Sequence, residues 1–434
     1  MADVDAAAAG VSPDAAPATS RQSLISFAPF RHSQYARLWT GAFVSNIGTW
    51  METIALGIYV QDHTQQAAWT GTVAAAAFVP IAFFSPLGGA LADRFPRRWL
   101  MIITSVFQMG LATLLTVLFV VGQPSAATLT LIALGNGIAA ALGFPAYQAM
   151  LPDLVPVEDL PGAIALSSAQ FNLGRVVGPA LAGIVIALGG YAWAEGVNAV
   201  SFLAVVAVLL TLHLPPPAAS ARAERILRSI VDGFRYVRQE PGLRITALAM
   251  CLNTFLAAPF IALVPTMAQE VLHAGKSGTS ILVTAQGAGA VLMAFSLGTL
   301  VGRFTARRVL ITLMAALPFA LTAYAVAPAL GLSALALFWV GLLYLGALSS
   351  FTTIAQLRVT SAIRGRVLSV FTVILGSLYP LGAIVQGKLA DHIGLRWTTF
   401  GSAALMLFAM VATRLLRPGV TAAIDAPSAL GSPS

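Results

Sequence analysis

Long apolar runs follow one another along almost the whole chain, and they constrain the fold more than any other feature of the sequence. Each run is close to the length of about 20 residues that a helix needs to cross a bilayer. Twelve such runs lie at about 36–60, 68–92, 98–121, 127–150, 162–188, 194–213, 244–270, 279–301, 308–327, 331–355, 364–389 and 397–416. Since 58% of the residues are hydrophobic and only 9% are charged, the sequence predicts an all-α membrane protein with twelve transmembrane helices in two six-helix halves.

One polar, arginine-rich stretch between the sixth and seventh runs divides the chain. Its apolar residues recur at helical spacing; they are Ile226, Ile230, Phe234 and Val237. The pattern predicts an amphipathic linker helix within 214–243, lying on the cytoplasmic membrane surface. The six-helix halves are then 34–213 and 244–417. Residues 1–33 and 418–434, with few apolar runs, predict disordered cytoplasmic tails.

Basic residues fall in alternate loops. The loops after the second, sixth, eighth and tenth helices carry most of them, whereas those after the first, third, fifth and ninth carry no lysine or arginine. Lys276, Lys388 and Arg396 are the exceptions. The positive-inside rule then places both termini on the cytoplasmic side of an inner or plasma membrane. The net charge of +8 follows from this topology, and no nucleic acid partner is expected.

A short charged turn between the second and third helices carries the first motif. Its residues are Gly89, Asp93, Arg94, Arg97 and Arg98. Gly88 and Gly89 suit close helix packing, a carboxylate suits a helix N-terminus, and the arginines hold the loop on the cytoplasmic side. The turn resembles the signature between helices 2 and 3 of the major facilitator superfamily, with Pro96 where glycine is usual.

That resemblance implies the major facilitator fold and a secondary active transporter that works by alternating access. It also implies gate contacts on the cytoplasmic side. Asp93 is expected to cap the N-terminus of the eleventh helix near Arg364 and to latch the halves in the outward-open state. Arg94 is expected to reach Asp153, in the loop between the fourth and fifth helices.

The two halves echo each other, as parallel six-helix repeats with substrate between them would do. The stretch from Gly298 to Phe304 repeats the charged turn, with Gly302 in place of Asp93. Gln148 and Gln356 occupy matching ends of the fourth and tenth helices. The regular spacing of these matches supports the two-half fold.

A second motif lies in the fifth helix and consists of Gly174, Gly178, Pro179 and Gly183. Glycines let this helix lie against a neighbour, and the proline permits a bend. The motif resembles a signature of the antiporter branches of the superfamily, with Ala182 replacing one glycine. Glycine and proline are also common in membrane helices in general.

The likeness extends to a branch of the superfamily. The runs 45–50, 154–172 and 364–367 resemble enterobactin-exporter-like and drug-efflux proteins, the transmembrane secretion effectors. One departure matters, because many proton-coupled drug exporters carry an arginine in the fourth helix where Ala133 stands here. A mechanism that relies on that arginine does not carry over.

Two charged residues stand near the middle of predicted helices, Glu52 in the first and Arg175 in the fifth. Charges at that depth cost several kcal/mol unless they are paired or hydrated, so each is a candidate functional group. Glu52 is expected to be the proton-coupling carboxylate, and Arg175 to modulate its proton affinity on approach. The alternative is a fixed structural ion pair between the two helices.

Several polar residues are expected to line a central substrate cavity; they are Asn46, Trp50, Gln148, Asn172, Asn253, Gln286 and Gln356. Amides inside a bundle also hold helices together without binding any ligand. Trp50 suits stacking on an aromatic substrate or plain packing.

Enzyme chemistry and ATP are not indicated. The five histidines are scattered without ligand spacing, Cys251 is the only cysteine, and no Gly-x-x-x-x-Gly-Lys-Ser/Thr phosphate loop occurs. No metal or cofactor is expected, and the proton gradient is the expected energy source. The sequence favours a monomeric exporter of a siderophore or drug-like compound in exchange for protons. The alternatives are an importer or proton symporter, and a non-transporting sensor or scaffold.

Overall fold

The computed structural model describes residues 27–214 and 226–425. Within those ranges the chain is helical. The α-helices are α1 Ser33–Thr64, α2 Ala67–Arg94, α3 Arg97–Val121, α4 Ala126–Leu154, α5 Leu160–Thr211, α6 Ile226–Gln239, α7 Pro241–Leu252, α8 Phe260–Thr266, α9 Gly275–Arg303, α10 Ala306–Val326, α11 Leu330–Leu357, α12 Ser361–Ile393 and α13 Leu395–Leu416.

These helices make twelve passes across a membrane, as predicted. Ten segments are long and apolar enough to cross it. One of them, the 52-residue α5, consists of two helical arms that meet at Gly190 and make two passes; the φ of 72° at this non-helical position suits glycine. Two π-helical turns join α7 and α8 into a single pass, Pro241–Val271. The pass missing from that set is α1, whose core-facing side carries polar residues.

The two six-helix halves meet along α2 and α12, and along α5 and α9. Glycines allow the closest approach of α2 and α12. A Cβ at Gly71 would lie 2.4 Å from the carbonyl oxygen of Ala383, and one at Gly387 would lie 2.7 Å from that of Ala67. The two helices therefore touch backbone to backbone, as small residues allow in membranes.

Helix α6 lies in the predicted linker and packs against α12. The carbonyl oxygen of Arg366 lies where a Cβ at Gly233 would clash, and Val237 is buried. Of the predicted apolar stripe, Ile226 and Ile230 have side chains outside the described residues. We call the end of the bundle that carries α6 the linker end, and the opposite end the far end.

The predicted tails differ from the structure where they meet the bundle. Residues 28–31 form a 3-10 turn, in which Pro29 is buried. At the other terminus Val420–Ile424 form a second 3-10 turn, with Ile424 buried against α7. The tails therefore pack for a few residues farther than apolar runs alone indicated, because single apolar side chains anchor them. The rest of both predicted tails lies outside the described residues.

Candidate functional site

At the far end, polar contacts join the two halves. Gln61 of α1 is fully buried; its Nε2 donates to Glu270 at 2.5 Å, and its Oε1 accepts from Thr266 at 2.5 Å. The carboxylate of Asp391 accepts from the backbone N–H groups of Ala67 at 2.7 Å and Ala68 at 3.1 Å. These donors are otherwise unpaired at the start of α2. We call this set of contacts the far-end lock.

A surface ion pair adds to the far-end lock. The Nζ of Lys276 lies 3.1 Å from a carboxylate oxygen of Asp62, in the other half. The same ammonium group lies 4.8 Å from the ring centre of Tyr191. The far end is therefore closed by contacts from several helices of both halves.

The linker end is organised differently. The ion pairs described there stay on one side of the boundary between the halves: Asp153 pairs with Arg97, Glu240 with Arg358, and Asp425 with Arg307. The α2 and α12 segments nearest this end carry the motif residues that were expected to bridge the halves. Those segments hold no such bridge among the described residues. The structure is thus in a conformation locked at the far end.

The gate loop departs from the sequence prediction in two ways. Arg97, and not Arg94, meets Asp153, at 2.7 Å, and it also donates to the carbonyl of Ala149 at 2.8 Å. Arg94 is exposed. The helix α3 begins at Arg97 and aims the side chain of Arg97 at α4, so Arg97 takes the contact predicted for Arg94. Among the described residues, Asp93 is exposed and has no partner. Its predicted latch to α12 near Arg364 belongs to the other conformation and stays a prediction.

The remaining groups of the gate loop stay within their own half. Arg98 donates to the carbonyl of Leu212 at 2.7 Å. Of the two glycines, Gly88 makes the close helix contact, since a Cβ there would lie 2.7 Å from the carbonyl of Ala141. Gly89 faces open space.

Glu52 is buried inside the N-terminal half. Its carboxylate accepts from the Nδ2 atoms of Asn136 and Asn198, each at 2.5 Å. The predicted contact with Arg175 is not made. Trp50, which meets Arg175, and Glu52 lie two residues apart on α1 and therefore point to different faces of the helix.

Arg175 instead lies at the boundary of the halves. Its guanidinium stands 5.2 Å from the ring centre of Trp50 and donates to the Oε1 of Gln286 at 3.3 Å. Tyr344 and Tyr379, both from the C-terminal half, lie within electrostatic reach. The arrangement combines a cation, an amide and aromatic rings, which suits an aromatic or anionic ligand.

A second carboxyl was missed by the sequence analysis. Glu195, near the start of the second arm of α5, is fully buried, and neither carboxylate oxygen has a hydrogen-bond partner among the described residues. The predicted helix break at 188–194 placed Glu195 at a membrane surface. Because the two helical arms of α5 meet directly at Gly190, with no loop between them, the residue lies inside the bundle instead. The acidic residue in a strongly apolar stretch was the available signal.

The glycine motif of α5 packs helices together. A Cβ at Gly174 would lie 2.7 Å from the Nδ2 of Asn46, and one at Gly178 would lie 2.6 Å from the Cβ of Trp50. A Cβ at Gly183 would lie 2.8 Å from the Oγ of Ser280 in α9. Pro179 is buried between these contacts. The motif therefore lets α5 touch both α1 and the other half.

The predicted cavity amides separate into groups. Asn46 donates to the carbonyl of Gln170 at 3.3 Å, and Asn172 to that of Ser168, within its own helix. Gln148 and Gln356 are exposed.

Two other amides are buried with unmet hydrogen-bonding capacity. Neither side-chain atom of Asn253 has a partner among the described residues, and the same is true of the Nε2 of Gln286. Asn253 lies in the π-turn that follows α7. Of the predicted set, Trp50 and Gln286 are the two that meet Arg175.

Comparison with known proteins gives a consistent result. The sequence model of a family described as transmembrane secretion effector matches residues 24–431. The multidrug efflux pump Tap of Mycolicibacterium fortuitum is 28% identical over 394 residues, covering 87% of this chain and 94% of Tap. The enterobactin exporter EntS of Citrobacter koseri is 27% identical over 394 residues, covering 89% of this chain and 91% of EntS.

A solved structure shares the fold. A bacterial homologue of the human lysosomal transporter Spinster, in an inward-facing and unoccupied conformation, superimposes with a TM-score of 0.73 at 16% identity. The alignment covers 94% of this chain and 100% of the homologue. It shows that the twelve passes have the arrangement found in a transporter.

Proposed function

The chain belongs to the transmembrane secretion effector family of the major facilitator superfamily, and from that premise we propose that it exports a small organic molecule in exchange for protons. It is a multi-pass membrane transporter and not an enzyme. The named relatives are efflux pumps or exporters, which favours outward transport. The substrate class that we propose is a siderophore or an amphipathic drug-like compound, carried by a monomer.

The orientation follows from the charges. The basic loops and the linker lie at the linker end, so the positive-inside rule makes this the cytoplasmic face. Both termini are then cytoplasmic, in the inner or plasma membrane. With the far-end lock closed, the structure represents the state that takes up substrate from the cytoplasm.

The substrate site is proposed at the boundary of the halves. Arg175 has one hydrogen bond, to Gln286, and an aromatic neighbour in Trp50. A guanidinium has five N–H donors, so most of them are available to a ligand. An aromatic compound with an acidic group would use both the cation and the rings.

The proton site is proposed at Glu52, and its burial is the observation that carries the coupling. A carboxyl that lies at membrane depth with amides as its hydrogen-bond donors costs free energy, and function is the usual reason to keep it. Its separation from Arg175 means that protons and substrate bind on different faces of α1. Coupling would then pass through movement of α1 against α5.

Inverted membrane vesicles test the proposal. Respiration energises the vesicles, a pH-sensitive dye reports the proton gradient, and drugs and catecholate siderophores are added in turn. At least one compound should dissipate the gradient with the wild type and with Glu158→Gln, an exposed control, but not with Glu52→Gln. If no compound moves protons although the protein is folded, proton exchange is wrong. If Glu52→Gln responds like the wild type, another group couples the proton.

A further inference from the structure

We propose that Glu195 and Glu52 form one proton-binding site inside the N-terminal half, where the two carboxyl groups share protons. This inference deepens the proton coupling proposed above and rests on that function only for its role in transport. The geometry that carries it comes from α1, α4 and the second arm of α5. The ligand is a proton.

The first observation is the isolation of Glu195. Its side chain is 0% exposed, and both carboxylate oxygens lack a partner among the described residues. An ionised carboxylate in such a place would keep its full desolvation cost with no compensating donor. A carboxyl that carries its own proton has a much smaller cost. The environment of Glu195 therefore suits a protonated acid.

The second observation is the bridge to Glu52. Asn198 follows Glu195 by three residues, so both side chains lie on the same face of the helix. The Nδ2 of Asn198 donates to Glu52 at 2.5 Å. The hydroxyl of Ser201 donates to the backbone carbonyl of Asn198 at 2.7 Å and lies 3.3 Å from its side-chain Oδ1. The two carboxyl groups also interact electrostatically. One helix face thus joins them into a single cluster.

The third observation is an unused acceptor. The Nδ2 of Asn136 donates to Glu52, whereas its Oδ1 is buried and has no partner among the described residues. A carboxylate cannot use that oxygen, because it has no proton to donate. A protonated carboxyl can. The amides around Glu52 therefore donate N–H groups to its ionised carboxylate, and the Oδ1 of Asn136 is able to accept a hydrogen bond from its protonated carboxyl group.

Two carboxyl groups in one dry space do not both ionise readily, because like charges repel. The arrangement is therefore able to hold a proton that moves between two acids, and its titration belongs to the pair. Glu52, with two donors, is the better place for the charge. Glu195, with none, is the better place for the proton.

The pair of carboxyl groups is surrounded by few other titratable groups among the described residues. On the far-end side, Tyr191 lies one turn before Glu195, and its ring meets Tyr59 of α1 at 5.1 Å. His63 stacks on Tyr59 at 3.8 Å. On the remaining helix that packs close to this point, α3, Thr116 lies beside Gly196. Arg175 contacts the other face of α1, through Trp50.

Infrared spectroscopy of the purified full-length protein in lipid nanodiscs tests the pair without any substrate. The carbonyl band of protonated carboxyl groups is followed against pH in the wild type, Glu195→Gln, Glu52→Gln and the exposed control Glu158→Gln. We expect each single variant of the pair to lose one buried carboxyl from the band. The midpoint of the remaining group should shift by about one pH unit or more, since coupled sites differ by that amount. The control should match the wild type.

If Glu195→Gln leaves the titration of the remaining buried carboxyl unchanged, the two groups do not share protons and the inference is wrong. Glu195→Asp keeps an acid at the position and should retain two buried carboxyls, which separates the effect from misfolding. The readout is independent of transport. If the vesicles fail to exchange protons but the two carboxyl groups titrate together, the proposed function is wrong and this inference stands. If the vesicles exchange protons but the two groups titrate independently, only this inference is wrong.

Discussion

The helix pair α2 and α12 carries an aspartate near each end of the bundle, and the two aspartates differ in their contacts. At the far end, Asp391 near the end of α12 accepts from the first N–H groups of α2. At the linker end, Asp93 near the end of α2 is exposed and has no partner among the described residues. The two helices run antiparallel, so each carries an aspartate near its C-terminal end, at the end of the bundle where the other helix begins. We predict from this difference that the same helix pair locks the linker end in another conformation.

The register of the pair supports this interpretation. Gly71 lies against Ala383, and Gly387 lies against Ala67. Continued along the helices, this register places Asp93 level with the first turn of α12. A rocking motion that separates the far end would bring the linker end together, as in alternating access. One aspartate would then release its helix terminus as the other engages.

The largest expected effect comes from blocking the contact between α2 and α12. In Gly71→Leu the new Cβ would lie 2.4 Å from the carbonyl oxygen of Ala383, a backbone atom that cannot move alone. Overpacking of this kind costs about 3 kcal/mol, so transport should fall by roughly 100-fold. Gly110→Leu, on an open face of α3, is the matched control. Equal activity of the two variants in vesicles would show that the far end never needs to close this tightly.

The next effect concerns the far-end lock itself. Asp391→Ala removes a helix cap, which costs about 0.5–2 kcal/mol, and should lower the equilibrium constant for far-end closure by roughly twofold to thirtyfold. Spin labels at Gln66→Cys and His392→Cys, in a Cys251→Ser background, report the distance by electron resonance. Asp391→Asn keeps one acceptor and should show a smaller change. An unaltered distance distribution in Asp391→Ala would mean that other contacts hold this end.

Helix positions could be predicted from the sequence, because hydrophobic length decides them. The predicted third helix, 98–121, and α3, Arg97–Val121, differ by one residue. The far-end lock could not be predicted from the sequence, because no local pattern indicates that Gln61 contacts Glu270 or that Asp391 contacts α2. Such contacts depend on which helices become neighbours. The known motif drew attention to Asp93, whose partner is absent in this conformation.

The candidate site shows the same division. Burial of a charged residue was predictable for Glu52, because it stands in the middle of an apolar run. Its partners were not, since helix phase turns Arg175 away and brings Asn198 close. Glu195 was missed because a bend at Gly190 resembles a loop in sequence. The two helical arms of α5 meet directly at this glycine, so the second arm begins before Glu195 and holds the acid inside the bundle.

At the linker end, loss of the aspartate should shift the equilibrium in the opposite direction. If Asp93 caps α12 when the linker end closes, Asp93→Ala should destabilise that state by about 1 kcal/mol. The same spin-label pair should then report a roughly fivefold higher ratio of far-end-closed to far-end-open molecules, and transport should fall without loss of expression. Full activity and an unchanged distance distribution in Asp93→Ala would show that Asp93 does not cap α12 when the linker end closes.

The smallest expected effect concerns the ion pair of Lys276 and Asp62. Both side chains are partly exposed, at 48% and 36%, and pairs of this kind contribute about 0–1 kcal/mol. Lys276→Gln should therefore weaken far-end closure by about twofold at low salt. Salt screens exposed charges, so the difference from the wild type should disappear at high ionic strength, whereas the effect of Asp391→Ala should remain. If Lys276→Gln weakened far-end closure as much as Asp391→Ala does, and equally at high salt, this surface pair would contribute to the far-end lock as much as the helix cap does.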